Sequence, residues 1–422
     1  MRRIIVLVGL IGLISLSFAQ TNKRVTAFNY LKDKEYDLAK EAIDKCVVHQ
    51  KTATDAKAWL YYGQIYYGIS TSKDKAYMNL DPNPELKSYK GYKNALLYNF
   101  KDKSFWTLDI ENNQMDMIKF SKAVNNRETK YVDQMILMDV INGFSGLSNV
   151  LINKGLKEYQ ENKNYKSALE LFEHSLFTAQ MTGKIDTQAV YFCALAAVKA
   201  KDADKAIDYY KVLAKLGYGK KEVDKANNYY FLAKQYLIKN DTAKYVKTIS
   251  KGIEKYPNSS SNLVVEMINF YLAKGMQKEA LEYLDKGIAA SPTNASLYYA
   301  RGSIYDTDSL LQDKDKALEA YKKTVEIDPN HFDAYYNMGA IYYNKAAAKI
   351  EEANNVDPDD FKKYKAVKAE ADVFFKQALP YLEKAHEINP KDMPTMQSLK
   401  LIYYRTGELE KSEAMKKEME GK

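Results

Sequence analysis

Apolar residues recur every three to four positions through most of this 422-residue chain, the spacing that gives a helix one face for a core. Phe361, Tyr364, Val367, Ala371 and Phe374 show it late in the chain, and the same spacing runs through Phe120 earlier on. Met135 to Val150 is apolar and helical in pattern, with Gly143 and Gly146 as its weak points. Breakers are scarce, with 18 Gly and 9 Pro over the whole length, which favours helices over short strands joined by Gly-rich turns. The pattern predicts an all-α chain.

The first residues follow a different rule. Arg2 and Arg3 precede an unbroken apolar run from Ile4 to Leu16, which ends in Ser17-Phe18-Ala19. A charged start, a short apolar run and small residues two apart make a secretory signal peptide, cleaved after Ala19. The run is short for crossing a bilayer, and no Cys follows it for lipid attachment. Residues 1–19 are therefore expected to be removed and the protein exported, to the periplasm or beyond, by a signal of bacterial type. No later stretch reads as long and apolar enough to span a membrane.

Self-similarity dominates the rest. Three segments end alike, at Tyr256-Pro257-Asn258, Asp328-Pro329-Asn330 and Asn389-Pro390-Lys391, with a weaker relative at Ser291-Pro292. Upstream, Trp59-Leu60-Tyr61-Tyr62-Gly63 leads to Tyr66, and Tyr335-Tyr336-Asn337-Met338-Gly339 leads to Tyr342. Tyr298 to Tyr305 follows the same pattern, with Arg301 at the apolar place. Small–large–small triplets follow, such as Ala168/Phe172/Ser175, Ala280/Leu284/Gly287, Ala317/Tyr321/Thr324 and Ala378/Leu382/Ala385. This sequence resembles the tetratricopeptide (TPR) repeat, strongly from about Asn149 to the end, partially from Thr21 to Ile69 and poorly from Ser70 to Val150.

The resemblance implies an α-solenoid: a right-handed superhelix of helix–turn–helix repeats with a concave and a convex face. Gly63, Gly302 and Gly339 let the partner helix approach, with a small residue such as Ala317 or Ala378 expected opposite. The prolines stop each second helix. Residues 20–147 read as degenerate N-terminal repeats and 148–422 as the main array. Cys46 and Cys193 take core positions in this register and read as free packing thiols.

Tyrosine doublets raise a separate question, because adjacent helical residues point about 100° apart and cannot share one core. The chain has 36 Tyr, many in pairs. The resemblance assigns the first of each pair (Tyr66, Tyr229, Tyr298, Tyr335, Tyr342, Tyr403) to the core. It assigns the second (Tyr67, Tyr230, Tyr299, Tyr336, Tyr343, Tyr404) to the inner face, where a rigid ring with a hydroxyl suits recognition. Those six are the candidate partner-binding residues. The competing expectation is that they pack on the neighbouring repeat. Tyr209-Tyr210 lies on a second helix, where only Tyr210 fits the motif.

Two segments depart from the repeat. Pro329 and Pro390 stand 61 residues apart, and the excess, residues 344–377, is expected to lengthen both helices of the penultimate repeat into an antiparallel hairpin. Val356 to Asp360 is its turn, with Asp357, Asp359 and Asp360 as helix-start acids. Pro380 falls inside the second arm. The second departure is Ser70 to Val150, with a loop at Pro82 and Pro84 and further helices beyond.

Charge and chemistry narrow the function. The net charge of +8 is interspersed with acids, so no basic patch marks nucleic acid as a partner. His49, His174, His331 and His386 form no paired-His helix face, and no phosphate-binding or dinucleotide motif occurs, so no metal, cofactor or catalytic residue is assigned. The sequence reads as a non-enzymatic, exported scaffold or adaptor that binds a protein or peptide through a concave groove, with envelope assembly or secretion as its setting. The alternative is a peptide- or glycan-binding module that uses the tyrosine-lined groove.

Overall fold

A computed structural model describes residues 23–183 and 185–421. The leader and its cleavage point lie outside the described residues. Among those described, regular structure is helical, with one isolated bridge between Phe100 and Tyr131. The helices begin where short polar side chains cap them. Asp55 accepts from the backbone N–H of Lys57 and Ala58, Asp186 from Gln188 and Ala189, and Asp313 from Asp315 and Lys316. Two end at left-handed glycines, Gly217 and Gly407, the conformation that costs a bare Cα least.

The chain forms two compact units. The first holds the residues up to Lys220 together with Phe231–Tyr245, and the second holds Lys221–Tyr230 with Val246–Lys422. In the first, α1 (23–33) and α2 (Tyr36–Val47) precede α3 (Ala56–Thr71) and a short α4 (Lys75–Met78). Then come α5 (Pro84–Tyr98), α6 (Gln114–Val124), α7 (Gln134–Gln160), α8 (Tyr165–Met181), α9 (Thr187–Lys199) and α10 (Ala203–Leu216). Helix α11 (Glu222–Ile238) and α12 (Thr242–Lys255) follow. The second unit continues with α13 (Ser261–Ala273), α14 (Gln277–Ala290), α15 (Ala295–Thr307), α16 (Lys314–Ile327), α17 (Phe332–Asn354), α18 (Phe361–Ile388), α19 (Met393–Thr406) and α20 (Leu409–Glu420). Neighbouring helices pack as pairs in both units, such as α7 with α8 and α13 with α14, while α5 packs on α3 and α7.

The segment after Thr71 is better ordered than its sequence suggests. Helix α5 packs along α3 as the second helix of the Trp59 repeat. At their crossing Gly63 faces Gly91, and a methyl on Gly91 would strike the Gly63 backbone. The Ser88 hydroxyl donates to the Gly63 carbonyl at 2.9 Å. Residues 99–133 then leave the repeat. Asn99, fully buried, closes this excursion: its Nδ2 donates to the Asp133 carbonyl and its Oδ1 accepts from the Asp133 N–H, both at 3.0 Å. Phe100 stacks on Phe105 and meets Phe120 and Tyr131, which gives the excursion a small aromatic core.

Three expectations need correction. Two of the three motif glycines do not face small residues: Gly302 lies against the Tyr321 ring and Gly339 against Leu382. The bare Cα makes room for a large side chain, while Ala317 and Ala378 are buried one turn earlier. Gly143 and Gly146 are not weak points, since they receive the Tyr92 ring and the Tyr67 hydroxyl. Helix α7 is also long and apolar enough, by length and composition, to cross a membrane, contrary to the sequence reading. Its buried stripe, Ile136, Val140, Phe144, Leu147 and Leu151, packs within the unit against α3, α5 and α8. Its exposed side carries Met135 and Met138 at the start and Asn142, Ser145, Asn149, Asn153 and Lys157 further on, the largely polar face of a helix packed on one side.

The extended hairpin is present. Helices α17 and α18 have 23 and 28 residues against 13 and 14 in the preceding pair. Ala346, Ala353, Val367 and Ala371 are buried along them, and Lys349 bridges Glu352 and Glu370 at 2.8 and 2.7 Å. Asp360 caps α18 by accepting from the Lys363 N–H, and the helix continues through Pro380. Cys46 and Cys193 are buried and form no disulfide.

Candidate functional site

The doublets divide much as their register requires. Tyr66, Tyr229, Tyr298 and Tyr403 are buried, and Tyr335 and Tyr342 half-buried. Their hydroxyls find partners where the core allows: Tyr66 donates to Asp44 at 2.9 Å, Tyr403 to Glu383 at 2.8 Å and Tyr298 to the Pro292 carbonyl at 3.2 Å. The second members differ among themselves. Tyr67 is seated on Gly146, Tyr343 meets the edge of Phe375, and Tyr336 stacks on Phe332. Tyr230 is half-buried. Tyr404 stands out at 66% exposed.

Tyr299 is the member that meets an open groove. Its ring lies 4.7 Å from His331 and 5.7 Å from Tyr321, which fixes one side of it. Burial pushes its hydroxyl pKa up. The other side joins Leu272, Gln277, Ser303, Ile304 and Thr307 around a hollow of about 530 Å³. Helix α15 supplies most of the wall, and the turn at Asp308 and Ser309 closes one end.

A second hollow, of about 620 Å³, lies in the first unit and was not foreseen. The excursion lays Ile110 to Gln114 and Met117 opposite Glu170, Glu173, His174, Phe177 and Gln180 of α8. Glu111 ties the two sides together. It accepts from the Tyr89 hydroxyl and the Lys93 ammonium of α5, and from His174 Nδ1 at 3.2 Å. Burial raises the Glu111 carboxyl, but the bonds from His174, Lys93 and Tyr89 outweigh it and hold the pKa down at about 2. The His174 ring stacks on Tyr89 at 4.0 Å, and its Nε2 lies 3.7 Å from Glu170. Glu173 receives Lys205 and the Tyr209 hydroxyl, both at 2.7 Å. Sequence spacing could not find this site, because Tyr89, Glu111, His174 and Tyr209 come from four separated segments.

Among the described residues no group of three or more His, Cys, Asp or Glu is placed to hold a metal ion. Burial pushes both thiols up, so neither cysteine is an activated nucleophile.

Paired helices stacked through glycine crossings define a helical-repeat protein, an all-α solenoid. Residues 311–346, which span all of α16 and the start of α17, match the family model described as TPR repeat, so this part of the chain carries a TPR repeat. No curated protein matches the chain. Solved structures resemble it at low identity. A TPR repeats protein from Bacteroides fragilis is 22% identical, with 61% of this chain and 98% of that one covered and a TM-score of 0.31. The C-terminal part of a TPR repeat-containing protein from Cytophaga hutchinsonii is 16% identical, with 63% and 93% covered and a TM-score of 0.37. YrrB, described as a TPR protein with an unusual peptide-binding site, is 18% identical, with 47% and 96% covered and a TM-score of 0.32.

Proposed function

We propose that this protein is an exported scaffold that binds a protein or peptide partner in envelope assembly or secretion, with Tyr299 as the principal contact among the inner-face tyrosines. The observation that carries this reading is the Tyr299 groove. A ring fixed on one side, apolar Leu272 and Ile304, and the polar side chains of Gln277, Ser303 and Thr307 share one open hollow. That mixture matches an extended peptide, whose backbone needs hydrogen-bond partners while its side chains need apolar contact.

Selection of random displayed peptides on the purified protein tests it. Enriched peptides are expected to lose at least about tenfold in affinity with Ser303→Arg, which fills the groove, and with Tyr299→Ala. Tyr67→Phe, a change within packing, is expected to leave binding intact. Failure to enrich peptides over an unrelated helical protein, or indifference to Ser303→Arg, refutes the groove. Selective capture of an oligosaccharide array instead would favour the glycan reading. Export is tested separately by sequencing the N-terminus of the protein from a periplasmic extract, where Gln20 is expected first. A chain that retains Met1 in the cytoplasm overturns it.

A further inference from the structure

We infer that the hollow between the 99–133 excursion and α8 is a second binding site, one that takes a basic side chain, Lys or Arg, of an extended peptide. The inference rests on the scaffold reading only in taking a peptide as occupant; the site is separate from the Tyr299 groove.

Charge points to a cation. The hollow is lined by Glu111, Glu170 and Glu173 against one ammonium, Lys205. Lys93 answers Glu111 from behind, and Lys205 answers Glu173. Lys166 and Asp202, in an adjoining hollow of about 270 Å³, bring one charge of each sign. Glu170 is left with His174 Nε2 at 3.7 Å as its ion-pair neighbour, and its side chain is 59% exposed. The site is thus acidic on balance in a chain whose net charge is +8. General attraction by the whole molecule therefore opposes a basic ligand, and only local chemistry favours it.

Shape points to a side chain carried on a peptide. Ile110, Met117, Leu176 and Phe177 supply apolar wall, which suits the methylene stem of Lys or Arg while its head reaches Glu170. Asn112, Gln114 and Gln180 also line the hollow. An amide both donates and accepts, so these side chains complement peptide N–H and C=O groups flanking the basic residue. The wall is held in place before any ligand arrives: Glu111 is fixed by three donors, and the His174 ring by Tyr89. Such preorganisation lowers the cost of binding.

The test uses the full chain and fluorescein-labelled heptapeptide pools whose centre is fixed as Arg, Lys, Glu or Leu, with Gly, Ser, Asn and Ala elsewhere. Fluorescence anisotropy is expected to show the Arg or Lys pool binding at least about tenfold tighter than the Glu and Leu pools, and Glu170→Lys removing that preference. Glu170→Gln is expected to fall between. Glu170 is exposed, so neither variant disturbs the core, and circular dichroism checks this. Ser303→Arg is expected to have no effect here, which separates this site from the groove. Equal binding of all pools, insensitivity to Glu170→Lys, or loss with Ser303→Arg overturns the inference. So does competition by spermidine as strong as that by the unlabelled peptide, since a free polyamine lacks the amides the rim would read.

Discussion

Glycine and tyrosine act here as matched shapes. Gly91 meets the Gly63 backbone, so an added methyl has no flexible neighbour to push aside. Gly91→Ala is expected to cost about 3 kcal/mol, at the upper end for overpacking, read as a fall in urea midpoint with an unchanged slope. Gly275→Ala makes the contrast: its Cβ would meet nothing within 4 Å, and its φ of +68° leaves only backbone strain. Glu111 gives a pH-dependent counterpart. Its folded pKa of about 2 lies below the ordinary 4.5, so the stability it confers is present above about pH 4.5 and is lost as pH falls towards 2. Glu111→Gln is expected to destabilise at neutral pH by about 2–3 kcal/mol, because Lys93 loses its partner. The difference from wild type should shrink on acidification, measured by urea unfolding from pH 7 to pH 2.5. An unchanging difference would mean that Glu111 acts by shape alone.

At the scale of elements, the sequence announced most of the helices but not what they enclose. Trp59 to Tyr66 and Tyr335 to Tyr342 carry the repeat in residue order, because helix–helix packing repeats every three or four residues. The 344–377 hairpin was equally legible, through its excess length and the Asp360 start. The 99–133 excursion was not, because its order depends on one long-range clasp, Asn99 to Asp133, and on rings that meet only after folding. The unforeseen hollow depends on the same clasp. Asn99→Leu leaves a backbone N–H and a carbonyl of Asp133 without these partners and is expected to cost about 2–4 kcal/mol. Hydrogen exchange should show residues 100–132 losing protection before α3 and α5 do. Simultaneous loss would show that the excursion has no stability of its own.

For the whole molecule, the tyrosine doublets follow their register closely in the core and loosely at the surface. Register assigned Tyr66, Tyr229, Tyr298, Tyr335, Tyr342 and Tyr403 to the interior; four are buried and Tyr335 and Tyr342 are half-buried. It could not distinguish Tyr67 on its glycine from Tyr404 in the open, since both occupy the same repeat position and differ only in what the next helix offers. Stability in a stack of repeats is carried by neighbours. Leu382→Ala, which empties the space against Gly339, is expected to cost about 3 kcal/mol. Exchange should accelerate in α15 to α20 while amides of α3, α5 and α7 keep their rates. Uniform acceleration along the chain would show a single cooperative block instead.

The seating of Tyr67 on Gly146 and of Tyr92 on Gly143 bears on how this chain can be rearranged. The α15–α16 hairpin closes its glycine crossing within itself, Gly302 against Tyr321, and should tolerate duplication or transplantation into another array. Helices α3, α5 and α7 are keyed to one another by cavities cut for particular rings, so none of them is an interchangeable part. Insertions and deletions of whole repeats that leave a folded protein are therefore expected among the C-terminal hairpins, while the N-terminal helices must be inherited together.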